Sequence, residues 1–199
     1  ITNPQNNFTP YVCTNNTVSL PINKNYHVAQ GYWIDSSIVF DMNMLFKTND
    51  IENIVVEGGV PIVRITVEEN CTFGFCRDDT LTLSIQSNKR LKFEDNNSTP
   101  SVNLPEFDMT MKSNSIYRVY IHIGNSGEDC YLGLVEYDND VDQNIIGSQK
   151  QTIPGDCMNH NDPYYGTLDR FEYPVELGYS FTDTITVLEV NFCGATSPA

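Results

Sequence analysis

Apolar and polar residues alternate along much of the chain with a period of two. The longest run places apolar residues at every second position between Ile38 and Phe46. Because successive side chains of a strand point to opposite faces, this spacing predicts a long strand with one buried face. Shorter runs at 63–67, 81–85 and 117–123 repeat the pattern and predict further strands.

The remaining positions of these runs belong to the opposite face of each strand. Thr82 and Ser84 are predicted to face solvent. Arg118, Tyr120 and His122 lie opposite the apolar positions of their run, and His122 is interpreted as a surface residue. Each strand therefore has one apolar face for a core and one face for other contacts.

The last run changes phase in its middle. Its apolar positions are Ile185 and Val187 in one phase, and Leu188, Val190 and Phe192 in the other. A shift of one residue is the effect of a β-bulge. A strand that is buried on both faces is the alternative, but Thr184, Thr186, Glu189 and Asn191 need solvent or partners, which favours the bulge.

Turn-forming residues separate the runs, and no window of about 11 or more residues shows a helical period. The chain has only three alanines, Ala29, Ala195 and Ala199, although Ala is the strongest helix former. These features predict an all-β fold, a single antiparallel β-sandwich of jelly-roll or immunoglobulin/lectin-like type. The domain is expected to span residues 1–199, followed by a Ser/Thr/Pro-rich stalk that begins near residue 195.

The cysteine content points to an oxidising compartment. The six cysteines are even in number, are spread along the chain and form no C-x-x-C pair, which disfavours zinc and thioredoxin-type sites. Many pairings are open, and loop geometry favours three of them. The expected disulfides, which would brace the sandwich, are Cys13–Cys193, Cys71–Cys76 and Cys130–Cys157.

Glycosylation sequons support the same compartment. Asn-x-Ser/Thr occurs at Asn7, Asn15, Asn70, Asn96 and Asn97. The chain begins at Ile1, has no apolar run of about 18 residues, and is interpreted as a processed mature form, made with a signal peptide, or a trimmed ectodomain. We therefore expect a secreted protein or one on the extracellular face of the plasma membrane, with no direct membrane insertion by this segment.

The formal net charge of −15 limits the choice of partners. A field of this sign repels phosphate backbones and anionic lipids, so nucleic acid is excluded as a partner class. A basic protein, a cation or a neutral glycan fits the charge, and solubility alone is the competing explanation.

An acidic, Asn-rich and aromatic stretch at 138–174 breaks the alternating pattern. Asp138, Asp140 and Asp142 stand at alternating positions, and carboxylates of this kind bind calcium, which takes roughly six to eight oxygen ligands. The EF-hand template fails at Gln143 and Gln149. A solvated acidic loop is the favoured alternative, and no other cofactor is indicated.

The same stretch holds the predicted ligand-binding residues. Exposed aromatic rings provide large contact areas for peptides and stack on sugar rings, whereas rings that anchor the loop to the sandwich are the alternative. The candidate ligand-binding residues are Asp162, Tyr164, Tyr165, Phe171 and Tyr173.

Signals of catalysis are weak. Ser126 lies in Gly-Asn-Ser-Gly-Glu, which lacks the final glycine and the following helix of a hydrolase nucleophile elbow. The three histidines, His27, His122 and His160, show no zinc-binding spacing. Two facing carboxylates for glycan hydrolysis remain a minor alternative in so acidic a chain.

The strand pattern is similar to that of lectin-type sandwiches in a generic way, but no family motif is present and no residue roles carry over. We therefore expect a non-enzymatic recognition domain that binds a protein or glycan at a cell surface, as in adhesion or receptor binding. The alternative is a secreted decoy or immune modulator that captures a basic host protein, with electrostatic steering from the acidic surface.

Overall fold

A computed structural model gives the conformation of most of the chain. The residues that it describes are 8–12, 18–19, 27–35, 40–68, 78–95, 106–123, 130–153, 172–179, 182–193 and 195–196. These residues form strands, turns and loops and contain no helix. No segment among them therefore qualifies as a helix that could cross a bilayer.

Five strands coincide with the alternating runs at 38–46, 63–67, 81–85, 117–123 and 185–192, whereas the others, including one at 145–153 within the stretch that breaks the pattern, were not predicted. The described residues form twelve strands in all. In chain order they are β1 Val18–Ser19, β2 His27–Asp35, β3 Phe40–Thr48, β4 Val60–Glu68, β5 Asp78–Ile85, β6 Leu91–Asp95, β7 Ile116–Ile123, β8 Cys130–Tyr137, β9 Ile145–Ile153, β10 Glu172–Tyr179, β11 Ile185–Cys193 and β12 Ala195–Thr196.

The strands form two antiparallel sheets of six strands each. Sheet A has the order β1-β11-β3-β7-β8-β9, and sheet B has the order β12-β2-β10-β4-β5-β6. All the strand pairs within both sheets are antiparallel, which confirms the all-β prediction. Successive strands alternate between the sheets near both ends of the chain, so each sheet is assembled from distant segments.

The main core lies between the sheets and uses the apolar positions that the alternation marks. Met42, Met44 and Phe46 of β3 are fully buried, as are the inward residues of β7. The core also includes Val63, Ile65, Leu83, Ile85, Leu91, Phe93, Leu132, Leu134 and Tyr179 from the other strands. The segment 107–111 adds Phe107, Met109 and Met111.

The bulge in β11 is confirmed. The pairing of β11 with β3 shifts between Val187 and Glu189, so Leu188 is the extra residue. Val187 and Val190 both contribute to the main core, whereas Leu188 packs against a second apolar cluster on the other side of sheet A. The bulge thus returns the second half of the strand to the core face.

Three residues that were predicted to be exposed, Thr82, Ser84 and His122, are buried. Thr82 and Ser84 are buried, because their cross-strand neighbours on β4 and β6 carry longer side chains. Lys92 and Glu94, which pair with them in register, form an ion pair of 3.3 Å across this face. His122 is also buried rather than exposed, because other residues cover its face of sheet A.

The cysteine and glycosylation predictions are largely beyond the reach of the structure. Asn7, Asn15, Asn70, Asn96 and Asn97 lie outside the described residues, as do Cys13, Cys71, Cys76 and Cys157. Cys193 is buried and is disulfide-bonded. The three pairings, and bracing of the sandwich by them, stay predictions.

Candidate functional site

The ligand-binding residues expected in the stretch 138–174 are mostly not described. Asp162, Tyr164, Tyr165 and Phe171 lie outside the described residues. Tyr173 belongs to β10, where its backbone pairs with Ile34 of β2. The binding role of these residues stays a prediction.

The acidic part of that stretch is a turn that joins β8 to β9. The Asp138 carboxylate accepts hydrogen bonds from the Asn144 backbone and side chain, both at 2.9 Å, and from the Asn139 backbone at 2.7 Å. The Asn139 side-chain oxygen accepts from the amides of Val141 and Asp142. These short polar side chains therefore satisfy the backbone of their own turn.

This arrangement gives the calcium prediction no support. The Asp138 oxygens already have donors, and Asp140 and Asp142 are exposed. Within the described part of the chain, no group of three His, Cys, Asp or Glu residues converges as metal ligands would. The Asp138 carboxylate acts here as a turn former.

The turn predicts a measurable effect on the acidity of Asp138. The hydrogen bond from the Asn144 side chain, together with the backbone amides, lowers its pKa below the ordinary 3.8. The stabilisation of the turn is therefore complete above the ordinary pKa and is lost as the pH falls through the lowered value. We expect a carboxyl NMR titration to give a midpoint below 3.8, and Asn144→Ala to raise it. A midpoint that Asn144→Ala does not move would contradict this geometry.

A different candidate site lies on the outer face of sheet A, the side that points away from the main core. Cross-strand pairing sets Asp41 of β3 beside His122 of β7, and His122 beside Tyr131 of β8. In the next row Tyr120 pairs with Gly133. The N-terminal segment 8–12 lies across these residues. We call this surface the aromatic face: Phe8, Tyr11, Tyr120, His122, Tyr131 and Gly133.

A pocket in the aromatic face holds the side chain of Phe8. The Phe8 ring meets Tyr120 edge-on at a centroid distance of 5.5 Å and Tyr131 at 5.7 Å, with interplanar angles of 73° and 78°. Gly133 forms the floor of this pocket, and a Cβ added to Gly133 would lie 2.7 Å from Cε1 of Phe8. Glycine is required here because the ring lies directly on the strand backbone. We call the space between Tyr120, Tyr131 and Gly133 the Phe8 pocket.

The second aromatic contact of the segment is a stack around His122. The His122 ring lies 4.4 Å from Tyr131, nearly parallel at 12°, and 5.0 Å from Tyr11. The Tyr11 backbone donates a hydrogen bond of 3.1 Å to the Tyr131 hydroxyl. Burial raises the pKa of Tyr131, and the hydrogen bond from Tyr11 opposes that effect only in part. Lys150 extends the site, with Nζ 4.7 Å from the Tyr131 ring centre.

A buried histidine–carboxylate contact lies at the end of this stack. Nδ1 of His122 is 2.9 Å from Oδ2 of Asp41, and Asp41 is fully buried. The other carboxylate oxygen, Oδ1, has no hydrogen-bond partner among the described residues. Burial raises the pKa of Asp41 by disfavouring its charged form, whereas His122 acts in the opposite direction.

A polar network continues the same face toward β11. The Arg118 guanidinium binds Asn43 and forms an ion pair of 3.1 Å with Glu189. Burial opposes ionisation of Glu189, but hydrogen bonds from Asn191 and Arg118 outweigh it and lower its pKa. The network joins β3, β7 and β11, so it holds the strands beneath the aromatic face in register.

The sequence contained a signal for this site that the period-two pattern by itself does not reveal. Tyr120, His122 and Tyr131 occupy positions opposite the core-facing residues, where a solvated strand would carry small or charged residues. Gly133 in the middle of a strand marks a close approach by another group. What the sequence lacked was the origin of that group, which lies more than a hundred residues away in the chain.

Comparisons with known proteins found structural likeness only. No protein-family model matches the sequence, and the search of curated proteins gives no match. Peanut lectin with a nine-residue peptide aligns at TM-score 0.45 and 12% identity, covering 95% of this chain and 89% of the lectin. Basic winged bean lectin with Tn-antigen aligns at TM-score 0.43 and 12% identity, covering 81% and 72%.

A carbohydrate-binding module from Bacillus subtilis aligns at TM-score 0.30 and 9% identity, covering 92% of this chain and 95% of the module. At these identities and TM-scores the likenesses assign no ligand and no residue role to this chain.

Proposed function

We propose that this chain is a non-catalytic recognition domain of a secreted or cell-surface glycoprotein, and that it binds an extended segment of a partner protein on the aromatic face. The observation that carries the proposal is the Phe8 pocket. Two tyrosines and a glycine of sheet A form a recess for an aromatic ring on the outside of the sandwich. In the free chain, residues 8–12 occupy that recess in place of a ligand.

The pocket belongs to the sheet rather than to the segment that fills it. Tyr120, Tyr131 and Gly133 lie on β7 and β8, which pair along their whole shared length. The recess therefore stays formed when residues 8–12 leave. Buried aromatic anchors in preformed pockets supply most of the affinity in protein interfaces, and edge-on aromatic pairs add about 0.5–1.5 kcal/mol each.

The end of the segment that fills the pocket is less covered than Phe8 itself. The Tyr11 backbone donates a hydrogen bond to the Tyr131 hydroxyl. Val12 is 74% exposed and Tyr11 is 40% exposed, so the end of the segment is open to solvent. A partner segment that buries more apolar area than residues 8–12 do would displace them.

The surroundings of His122 support a binding role over a catalytic one. The ring lies between Tyr11 and Tyr131, and its Nδ1 faces Asp41. A general base needs hydrogen-bond access to the substrate, and the stacked Tyr131 ring and the tilted Tyr11 ring restrict that access to this imidazole. The proposal accordingly treats His122 as part of the binding surface.

Two variants with opposite effects test the function. Phe8→Ala empties the pocket, and we expect tighter binding of cell-surface protein ligands in a surface-proteome pull-down. Gly133→Val fills the pocket, and we expect at least an order of magnitude of lost affinity, because about 1.4 kcal/mol corresponds to a factor of ten. Val141→Ser is the matched control, since Val141 is exposed on the distant β8–β9 turn.

A glycan array with the same four proteins separates the ligand classes. One outcome is that glycan binding on the array rises with Phe8→Ala and falls with Gly133→Val, while no protein ligand responds in this way. That outcome would show that the aromatic face binds a glycan rather than a protein. Protein ligands whose binding is unchanged by both substitutions would show that the aromatic face is not the binding site.

Capture of a basic protein is a second candidate, and the net charge of −15 is the observation that favours it. Electrostatic steering makes the association rate fall steeply between low and physiological salt, because added ions screen the charges. A rate that barely depends on salt, measured on the protein ligand of the pull-down, excludes this candidate.

A further inference from the structure

We propose that Asp41 is a second anchor point of the aromatic face, and that it receives a Lys or Arg side chain located three residues after the aromatic residue that fills the Phe8 pocket. The inference rests on the proposed function and adds the chemistry of the ligand. It assigns an aromatic–x–x–basic motif in an extended peptide.

The first observation is the unsatisfied oxygen of Asp41. Asp41 is fully buried, its Oδ2 faces His122, and its Oδ1 has no partner in the described structure. A buried carboxylate oxygen without a donor is costly, so a ligand group that donates to it gains free energy that an exposed carboxylate would not provide. Charged donors form the strongest hydrogen bonds of this kind.

The second observation is the spacing of the two anchor points. Phe8 lies on Gly133 of β8, whereas Tyr11 lies against His122 of β7, which pairs with Asp41 of β3. The chain therefore crosses from the pocket toward Asp41 in three residues. An extended chain advances about 3.3–3.6 Å per residue, so three residues cover about 10 Å. A ligand that follows the same course places its fourth residue beside the His122–Asp41 pair.

The third observation is that a cation already lies against this face. Lys150 of β9, beyond β8 from β3, places its ammonium over the Tyr131 ring. The His122 ring, which Tyr11 contacts in the free chain, can support the aliphatic part of a second long basic side chain once Tyr11 leaves. Tyr11 provides a ring at this position and leaves Asp41 Oδ1 without a donor, so the natural segment fills only one of the two anchor points.

The experiment uses the full chain with Phe8→Ala, which empties the pocket, and short synthetic peptides that are labelled for fluorescence anisotropy. The first peptide is Phe-Thr-Pro-Lys-Val, and the second has norleucine in place of Lys. We expect the Lys peptide to bind at least tenfold tighter. Phe-Thr-Pro-Val-Lys, in which the basic residue is shifted by one position, should lose that gain.

Asp41→Asn, added to Phe8→Ala, should remove the difference between the Lys and norleucine peptides and leave the affinity for the norleucine peptide unchanged. That unchanged affinity also shows that the variant is folded. A peptide with Glu in place of Lys tests the role of Asp41 without any further substitution in the protein. The two carboxylates should repel each other, so this peptide should bind more weakly than the norleucine peptide.

The outcomes separate the two levels of the hypothesis. Equal affinities for the Lys, norleucine and Glu peptides overturn the role of Asp41 while the aromatic pocket still stands. If Asp41→Asn keeps the preference for Lys, the basic residue binds elsewhere and the assignment is wrong. If none of the peptides binds, the proposed function of the aromatic face fails as well.

Discussion

Replacing His122 with leucine is expected to lower the free energy of unfolding by about 1–3 kcal/mol, the usual cost of leaving a buried polar group without its hydrogen-bond partner. His122 provides the one hydrogen bond of the Asp41 carboxylate in the described structure, at 2.9 Å. Without it, a fully buried carboxylate has no hydrogen-bond donor in the described structure. Urea denaturation at neutral pH, followed by tryptophan fluorescence or circular dichroism, measures the loss.

The pH dependence of this loss identifies Asp41 as its cause. Burial raises the pKa of Asp41 above the ordinary 3.8, and removing His122 takes away the group that opposes that shift. An acid with a raised folded-state pKa stabilises the fold below the unfolded-state pKa, and this contribution is lost as the pH rises through the folded-state value. The effect of His122→Leu should therefore be smaller near pH 4 than at pH 7.

The double variant Asp41→Leu/His122→Leu is the control. Replacement of a whole buried pair by apolar residues is often neutral or stabilising, so the double variant should be more stable than His122→Leu alone. A double variant that is less stable than the single one would show that the loss in His122→Leu does not come from the Asp41 carboxylate left without a donor.

Phe46→Ala is expected to destabilise the fold by about 3–5 kcal/mol, the range for truncation of a buried aromatic residue. Phe46 is fully buried in the main core and lies 5.9 Å from the Tyr117 ring on the neighbouring strand. Truncation removes that contact and leaves a cavity that the surrounding side chains fill only in part. The difference in unfolding free energy from chemical denaturation measures the effect.

Lys47 provides a control on the adjacent residue of the same strand. Its side chain is exposed on the other face of β3, and Lys47→Ala should change stability by less than about 0.5 kcal/mol. Comparable losses for the two substitutions would mean that β3 does not have the single buried core face that its alternation predicts.

The strands of the core were predictable from residue pattern because the pattern is a direct consequence of strand geometry. Met42, Met44 and Phe46 repeat every second residue, as a strand with one face on a core requires. The bulge at Leu188 was predictable for the same reason, since one extra residue inverts the phase of everything after it. Both inferences need only local covalent geometry and the hydrophobic effect.

The spacing of acidic residues at 138–142 fits two different arrangements, of which a calcium site is one. Carboxylates at alternating positions are equally compatible with converging on an ion and with binding the backbone of a turn. Asp138 accepts hydrogen bonds from Asn139 and Asn144, a choice that depends on backbone dihedrals of the turn, including φ of 52° at Gln143. Composition does not encode that conformation.

The sequence by itself determined that this chain forms strands, where β3, β4, β5, β7 and β11 lie, and which face of those strands enters the core. Tertiary structure alone decided that the second face of sheet A is also covered, because the order β3-β7-β8 and the path of residues 8–12 bring Asp41, His122, Tyr131 and Phe8 together. The physical reason is that alternation specifies two faces for every strand, whereas the partner of each face depends on contacts between residues far apart in the chain.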